Sequence, residues 1–290
     1  VPLDRWYRPL LTLPVGAVET IAGRACSVVV TDTDPRAAEA QWTADRSINL
    51  MVTDDVPAEE LRTILPEFLR RATALADRPS EATVTFASRA VDRGRIARSC
   101  GFTPWAISAV ADLRDAMARP GVVAAGSHDS GAPRVRAAEP GDAGAIGELW
   151  GEQADFEAQL GTMRSSPAIR ASIAASVPTA IAGAGVTLVA EHQGSVVGAV
   201  VCESVVESAW AGRRLMLEPV AYLAMASITA TARGSGIGSA LVRETHARLA
   251  ASGVAASVLH YSAYNPLSVP FWSRHGYRPL LTHYVHRLRD

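Results

Sequence analysis

Hydrophobic positions along this chain fall into short runs and helical stripes that alternate from end to end. Residues 26–31 (CSVVVT) and 48–53 (INLMVT) are β-branched runs of strand length. Across residues 58–76, Leu61, Ile64, Leu65, Phe68, Leu69 and Leu75 recur at helical spacing, and Pro66 predicts a break or kink. Residues 83–86 and 105–113 read as further strands. Residues 119–133, rich in Gly, Ser, Ala and Pro and without periodicity, are the expected linker between domains 1–118 and 134–290.

The second block opens with a strand at 134–138. Asp142 is the expected N-cap of a helix carrying Ile146, Leu149, Trp150 and Phe156. A second helix, interrupted at Pro178, covers 168–182. Strands at 186–191 and 196–203 around a turn at 192–195 form a hairpin. A strand at 223–228, a helix at 239–251, a strand at 257–263, a short helix at 265–275 and a closing strand at 278–288 complete the order β-α-α-β-β-β-α-β-α-β.

One stretch carries chemistry. Residues 222–239, YLAMASITATARGSGIGS, run from an apolar strand through Gly234, Gly236 and Gly238 into a helix. Strand, glycine loop and helix together suit a phosphate: glycines visit φ > 0 and let a ligand approach, and the first helical N–H groups face the anion. A Walker loop needs a lysine, and the chain has none; all 28 basic residues are arginine. The spacing G-x-G-x-G also departs from the dinucleotide fingerprint G-x-G-x-x-G.

Composition narrows the class. With 48% hydrophobic and 20% charged residues in 290, a large core is available, and a net charge of −1 gives no pull toward nucleic acid or an anionic membrane. Cys26, Cys100 and Cys202 form no C-x-x-C pair and no zinc spacing, so no metal site is expected. The sparse cysteines, the lack of a signal-like N-terminus and the lack of a long apolar run predict a cytoplasmic protein, monomer or homodimer.

The loop Arg233-x-x-Gly236-x-Gly238 resembles the acyl-CoA loop, Arg/Gln-x-x-Gly-x-Gly/Ala, of the GCN5-related N-acetyltransferases (GNATs). Residues 265–277, NPLSVPFWSRHGY, are similar to that family's second motif, Asn-x-x-Ala-x-x-Phe-Tyr-x-x-x-Gly-Phe: Asn265, Phe271 and Gly276 match. Ser268 replaces Ala, Tyr277 replaces Phe, and Trp272 stands where the tyrosine is usual. Residues 100–113 also align without gaps on 275–288, with Gly101/Gly276, Pro104/Pro279, Val110/Val285 and Leu113/Leu288 identical. The resemblance therefore implies an α/β protein of two tandem GNAT-like domains, each a mixed central sheet flanked by helices. The N-terminal copy lacks the glycine loop and is expected to shape structure or substrate.

From the resemblance follow acetyl-CoA as cofactor and a small-molecule amine as partner, acetylated by direct attack on the thioester. The alternatives are a peptide α-amine, a longer acyl donor, or an acyl-CoA-binding protein without catalysis. Residues expected to hold the cofactor are Ile228, Ala230, Arg233, Gly234, Ser235, Gly236, Ile237, Gly238, Ser239, Asn265 and Trp272, with a backbone N–H near Ile228 as donor to the carbonyl oxygen. An alkyl amine of pKa about 10.4 costs roughly 4 kcal/mol to deprotonate at neutral pH, so a base is needed. His260, on the strand after the loop helix, is the expected base, and Glu203 is the alternative. With Trp272 at the family's acid position, Tyr261, Tyr264 or Ser268 takes over, or the thiolate leaves unaided. The acceptor is chosen by variable helices such as 152–172.

Overall fold

The computed structural model describes residues 6–13, 18–114 and 133–289. The expected linker thus lies, apart from Pro133, outside the described residues. Among the described residues eleven strands form one sheet in the order β1-β2-β3-β4-β11-β5-β10-β9-β8-β7-β6. The N-terminal half supplies β1 (Val18–Ile21), β2 (Arg24–Asp32), β3 (Arg46–Met51), helix α1 (Leu61–Leu75), β4 (Ser80–Ala87), helix α2 (Val91–Ser99) and β5 (Thr103–Asp112). The C-terminal half supplies β6 (Arg134–Ala137), helices α3 (Ala143–Gln159) and α4 (Pro167–Ala182), and the hairpin β7 (Val186–His192) and β8 (Ser195–Cys202). It continues through β9 (Val220–Ile228), α5 (Ile237–Ala251), β10 (Ala256–Ser262), α6 (Ser268–Arg274) and β11 (Arg278–Arg289).

The two halves exchange their last strands. β5 leaves the N-terminal half to pair with β10, and β11 crosses back to pair with β4, the two lying antiparallel side by side. Their register repeats itself: Val110 faces Arg278 and Thr103 faces Val285, and the repeat offset (275 − 100 = 175) converts one pair into the other. The shared glycines have a local cause. Gly101 and Gly276 follow α2 and α6 with φ of +85° and +87°, a left-handed stop that favours glycine. Phe102 and Tyr277, one residue on, donate their N–H groups back to Ala97 and Trp272 and bury their rings.

Three local expectations are corrected. Pro66 and Pro178 neither break nor end their helices; the carbonyls they leave without a donor belong to Arg62 and Ala174, on exposed residues that water reaches. Asp142 does not cap α3 through its side chain; the carboxylate instead accepts from the Glu139 N–H at 2.8 Å and from Arg136 at 2.6 and 3.0 Å. Strand β1 and helix α2 carry too few apolar residues in sequence to announce themselves.

Core packing puts α5 and α6 on one face of the C-terminal half, against Leu223, Leu259 and Tyr261. On the other face α3 and α4 cover Val189, Ala199, Val201 and Met225. The segment Ala38–Gln41 and Trp42 of the N-terminal half docks on these two helices, where Ala40 packs with Ala154, Met163, Ile169 and Ile173.

Candidate active site

β9 and β10 run parallel and paired only as far as Leu223 and Leu259. Beyond that point β9 continues to Ile228 on β8 and β10 to Ser262 on β5, so the two strands part. A register shift on β9 between the partners of Val201 and Cys202 sits at this fork and turns β9 away. The wedge opens a cleft of about 560 Å³, walled by β9, β10, the glycine loop and α6. Along the wedge, backbone groups of β9 on the side of β10 are free of strand partners, which suits an extended ligand laid between the strands.

The glycine loop closes the head of the wedge. Gly234 and Gly236 adopt φ of +79° and +85°, and Gly236 is the residue before α5 begins. The first helical hydrogen bond runs from Ala240 to Gly236, so the N–H groups of Ile237, Gly238 and Ser239 face outward at the positive end of a 15-residue helix. A side chain at Gly238 would meet Phe271 at 3.3 Å and Ile228 at 3.6 Å, so this glycine keeps the cradle open. Arg233 is held at the rim, its Nε donating to the Ile228 carbonyl at 3.3 Å and its guanidinium over the Phe156 ring. A phosphate-bearing thioester fits this donor set: one arginine, three aligned N–H groups and two glycines in conformations other residues resist.

Among the other residues expected at the cofactor, Ile228, Asn265 and Trp272 line the cleft, whereas Ala230 and Ser235 lie off its wall. Ser235 turns its hydroxyl back to the Ala232 carbonyl at 2.6 Å, and Ser239 Oγ lies 3.0 Å from His275 Nε2. Asn265 is buried and accepts from the N–H groups of Leu267 and Ser268 at 2.9 and 3.2 Å, which starts α6. Trp272 packs edge-on against Tyr277 with ring centroids 5.2 Å apart. The Tyr277 hydroxyl, which burial makes a far weaker acid than usual, is bound between Ser257 and His246.

His260 stands on β10 immediately past the fork, on the cleft wall. Both its ring nitrogens are engaged: Nε2 lies 2.7 Å from Ser108 Oγ and Nδ1 3.3 Å from the Tyr222 hydroxyl. Ser108 also contacts His283 Nε2 at 2.6 Å, and His283 Nδ1 meets Thr85 Oγ1 at 2.9 Å. These five side chains cross β9, β10, β5, β11 and β4 in one line. Ser108 has one proton to give, so one histidine donates to it and the other accepts. Burial lowers the His260 pKa to about 4, and burial beside His260 lowers that of His283 to about 3, so both rings are neutral at neutral pH. Glu203 follows β8, next to Tyr222 and off the cleft wall; its N–H donates to the Tyr222 carbonyl. Tyr264 is half exposed and also off the wall, while Tyr261 and Ser268 line it.

One carboxylate was not anticipated. Glu157 comes from α3, lines the cleft and is 5% exposed. It accepts from the Asn265 side-chain amide and from Thr162 Oγ1 at 3.1 Å, with Ser262 also bonded to it. Burial, only partly offset by these donors, raises its pKa above the ordinary glutamate value. Its sequence signal was a charge on the buried stripe of α3, three residues after Ala154 and eight after Leu149. Among the described residues no group of three or more His, Cys, Asp or Glu is arranged to hold a metal ion.

The N-terminal half repeats the order of elements from β7 onward, with β3 and β4 parallel and paired as far as Leu50 and Val84. At the repeat offset, the loop 233–238 corresponds to residues 58–63, AEELRT, which have no glycine and place Glu59 and Glu60 ahead of α1. Where Ser268 stands in the C-terminal half, Arg93 is buried and donates to the carbonyls of Thr53, Asp54 and Val56.

Residues 183–279, which hold the parted strands, the glycine loop and the helix N-terminus, match the family model described as "Acetyltransferase (GNAT) domain". The family match covers these residues, and in fold the chain as a whole is similar to tandem GNAT proteins. A tandem GNAT protein from the clavulanic acid biosynthesis pathway aligns with a TM-score of 0.54 at 15% identity, over 94% of this chain and 82% of that one. A GCN5-related N-acetyltransferase from Sphaerobacter thermophilus aligns with a TM-score of 0.53 at 15% identity, over 92% and 78%. At such identities the likeness speaks to fold alone. No curated protein matches the chain in sequence. No described helix is long and apolar enough to cross a membrane.

Proposed function

We propose that this protein is an acetyl-CoA-dependent N-acetyltransferase for a small amine, with one working cleft in its C-terminal half. The observation that carries the reading is the fork after Leu223 and Leu259, opening directly onto the Arg233–Ser239 loop. When bound, acetyl-CoA supplies an acyl carbon activated by its thioester. The Ile237, Gly238 and Ser239 N–H groups and Arg233 hold the pyrophosphate, and free β9 backbone along the wedge orients the thioester. N–H groups of β9 approaching Ile228 take the charge that develops on the carbonyl oxygen.

Glu157 is the base in this reading. As the amine nitrogen bonds to the acyl carbon and the C–S bond breaks, Glu157 takes the nitrogen's proton and passes it to solvent. That proton is acidic once the attack has begun, so a carboxylate with a raised pKa suffices. His260, the base expected from sequence, has no nitrogen free of the Tyr222–Ser108 line, and its low proton affinity suits a positioning group better. With a thiol pKa near 8.5, departure as thiolate costs roughly 2 kcal/mol at neutral pH, and the Trp272 indole need not donate a proton. The test is release of free thiol from acetyl-CoA over a panel of small amines. Amine-dependent release is expected; binding of acetyl-CoA with no release for any amine would leave a binding protein instead.

A further inference from the structure

Among the described residues Glu157 is the one carboxylate on the cleft wall, and the groups that donate to it are all neutral. They are the Asn265 amide, Thr162 Oγ1 at 3.1 Å and the Ser262 hydroxyl, with no arginine beside them. A buried carboxylate without a cation is costly, and one incoming positive charge offsets that cost.

The arginines of the wall stand on the phosphate side. Arg233 belongs to the glycine loop. Arg274 ends α6 next to His275, whose Nε2 lies 3.0 Å from Ser239 Oγ on the first turn of α5. His260, the remaining basic group on the wall, is neutral, burial holding its pKa at about 4. Around Glu157 the cleft therefore offers one negative charge and no positive one. A second ammonium would find no acid there, and a carboxylate carried next to the amine would face Glu157 with no arginine to meet it.

The rest of this part of the wall is largely apolar. Trp42, brought in by the N-terminal half, lines the cleft and packs on the cluster that holds Ala154, one helical turn before Glu157. Pro266 and Leu267, directly after Asn265, line it as well, and Leu267 is 54% exposed at its rim. A flat indole face suits a planar ring, and it also attracts an ammonium held near it.

Resting on the acetyltransferase reading above, we propose that the acceptor is a monoamine with an uncharged, ring-bearing body, its ring against Trp42 and its nitrogen at Glu157. The N-terminal half then takes part in choosing the acceptor through Trp42, while acyl transfer stays with the C-terminal half.

Four amines test this on the full chain, with acetyl-CoA saturating and thiol release followed. Benzylamine is the reference; phenylglycine adds a carboxylate to it, p-xylylenediamine adds a second ammonium, and methylamine lacks the ring. Benzylamine is expected to have a kcat/KM about tenfold or more above each of the others. Trp42→Ala should raise the benzylamine KM about tenfold and bring benzylamine down toward methylamine, and Trp42→Phe should recover most of the difference. Calorimetric Kd for acetyl-CoA, unchanged in both variants, shows that they fold. Methylamine, phenylglycine or p-xylylenediamine equalling benzylamine in the wild type overturns the proposal alone. So does an unmoved benzylamine KM in Trp42→Ala while acetyl-CoA still binds. Thiol release with none of the amines, or no binding of acetyl-CoA, overturns it together with the reading on which it rests.

Discussion

Asn265 donates its side-chain amide to Glu157, joining the turn before α6 to the helix on the opposite face of the sheet. This bond, with those from Thr162 and Ser262, holds the carboxylate at the cleft while leaving lone pairs for a proton. Glu157→Gln keeps an acceptor for Asn265 but removes the base. Turnover is expected to fall about a hundredfold or more, with acetyl-CoA affinity unchanged by calorimetry. His260→Gln should cost far less, and the reverse ranking would return the role to His260.

Glu157 must be ionised to accept a proton, so activity is lost as pH falls through its pKa. Because burial raises that pKa, the acid limb of kcat/KM should lie above the ordinary glutamate value near 4.5. Glu157→Gln should flatten the limb in a pH–rate profile; a limb that persists unchanged belongs to another group.

Gly236 needs its left-handed φ of +85°, whereas Gly238 needs the space that Phe271 and Ile228 leave it. Gly236→Asp adds strain and a carboxylate at the helix N-terminus, opposing the bound pyrophosphate. It should abolish acetyl-CoA binding in a folded protein, as judged by circular dichroism and calorimetry. Undiminished affinity would remove the loop from the site.

His260 and His283 are neutral in the folded protein and titrate near the ordinary value when it unfolds. Their folded pKa values are depressed to about 4 and about 3, so the unfolded state binds more protons below pH ~6.5. Stability should therefore be complete above pH ~6.5 and decline as pH falls toward 4 and then 3. Urea midpoints measured across this range should decline less steeply for the His260→Gln, His283→Gln double variant than for the wild type. Identical slopes would contradict the buried line of side chains.

The exchange of β5 and β11 makes each half depend on the other's last strand. A protease site inserted between residues 119 and 132 and then cut should leave both pieces together in gel filtration under native conditions. Pieces that separate freely would contradict the exchange.

The sequence announced the parts whose physics is local. Three glycines after an apolar run marked the loop, Asn265 and Gly276 bracketed a short helix, and a fourteen-residue stretch aligned at 175 positions' distance with four identities. Partnership across the sheet was not legible. An alternating strand states that it has two faces but not who its neighbours are, so nothing in residues 103–112 said that β5 pairs with β10. For the same reason His260 looked available as a base. Its neighbours Ser108 and His283 are 152 and 23 residues away and meet it only through the exchanged strands. Glu157 was hidden differently: it lay within the variable helices expected to choose the acceptor, but a glutamate near the end of a helix is usually solvated.

The most direct test of a single working cleft is calorimetric titration of the full chain with acetyl-CoA. The glycine-free segment 58–63 with Arg93 buried nearby, against the open cleft below Gly236, predicts one molecule bound per chain, and none for Gly236→Asp. Two molecules bound per chain, or one still bound to the Gly236→Asp protein, would contradict the account.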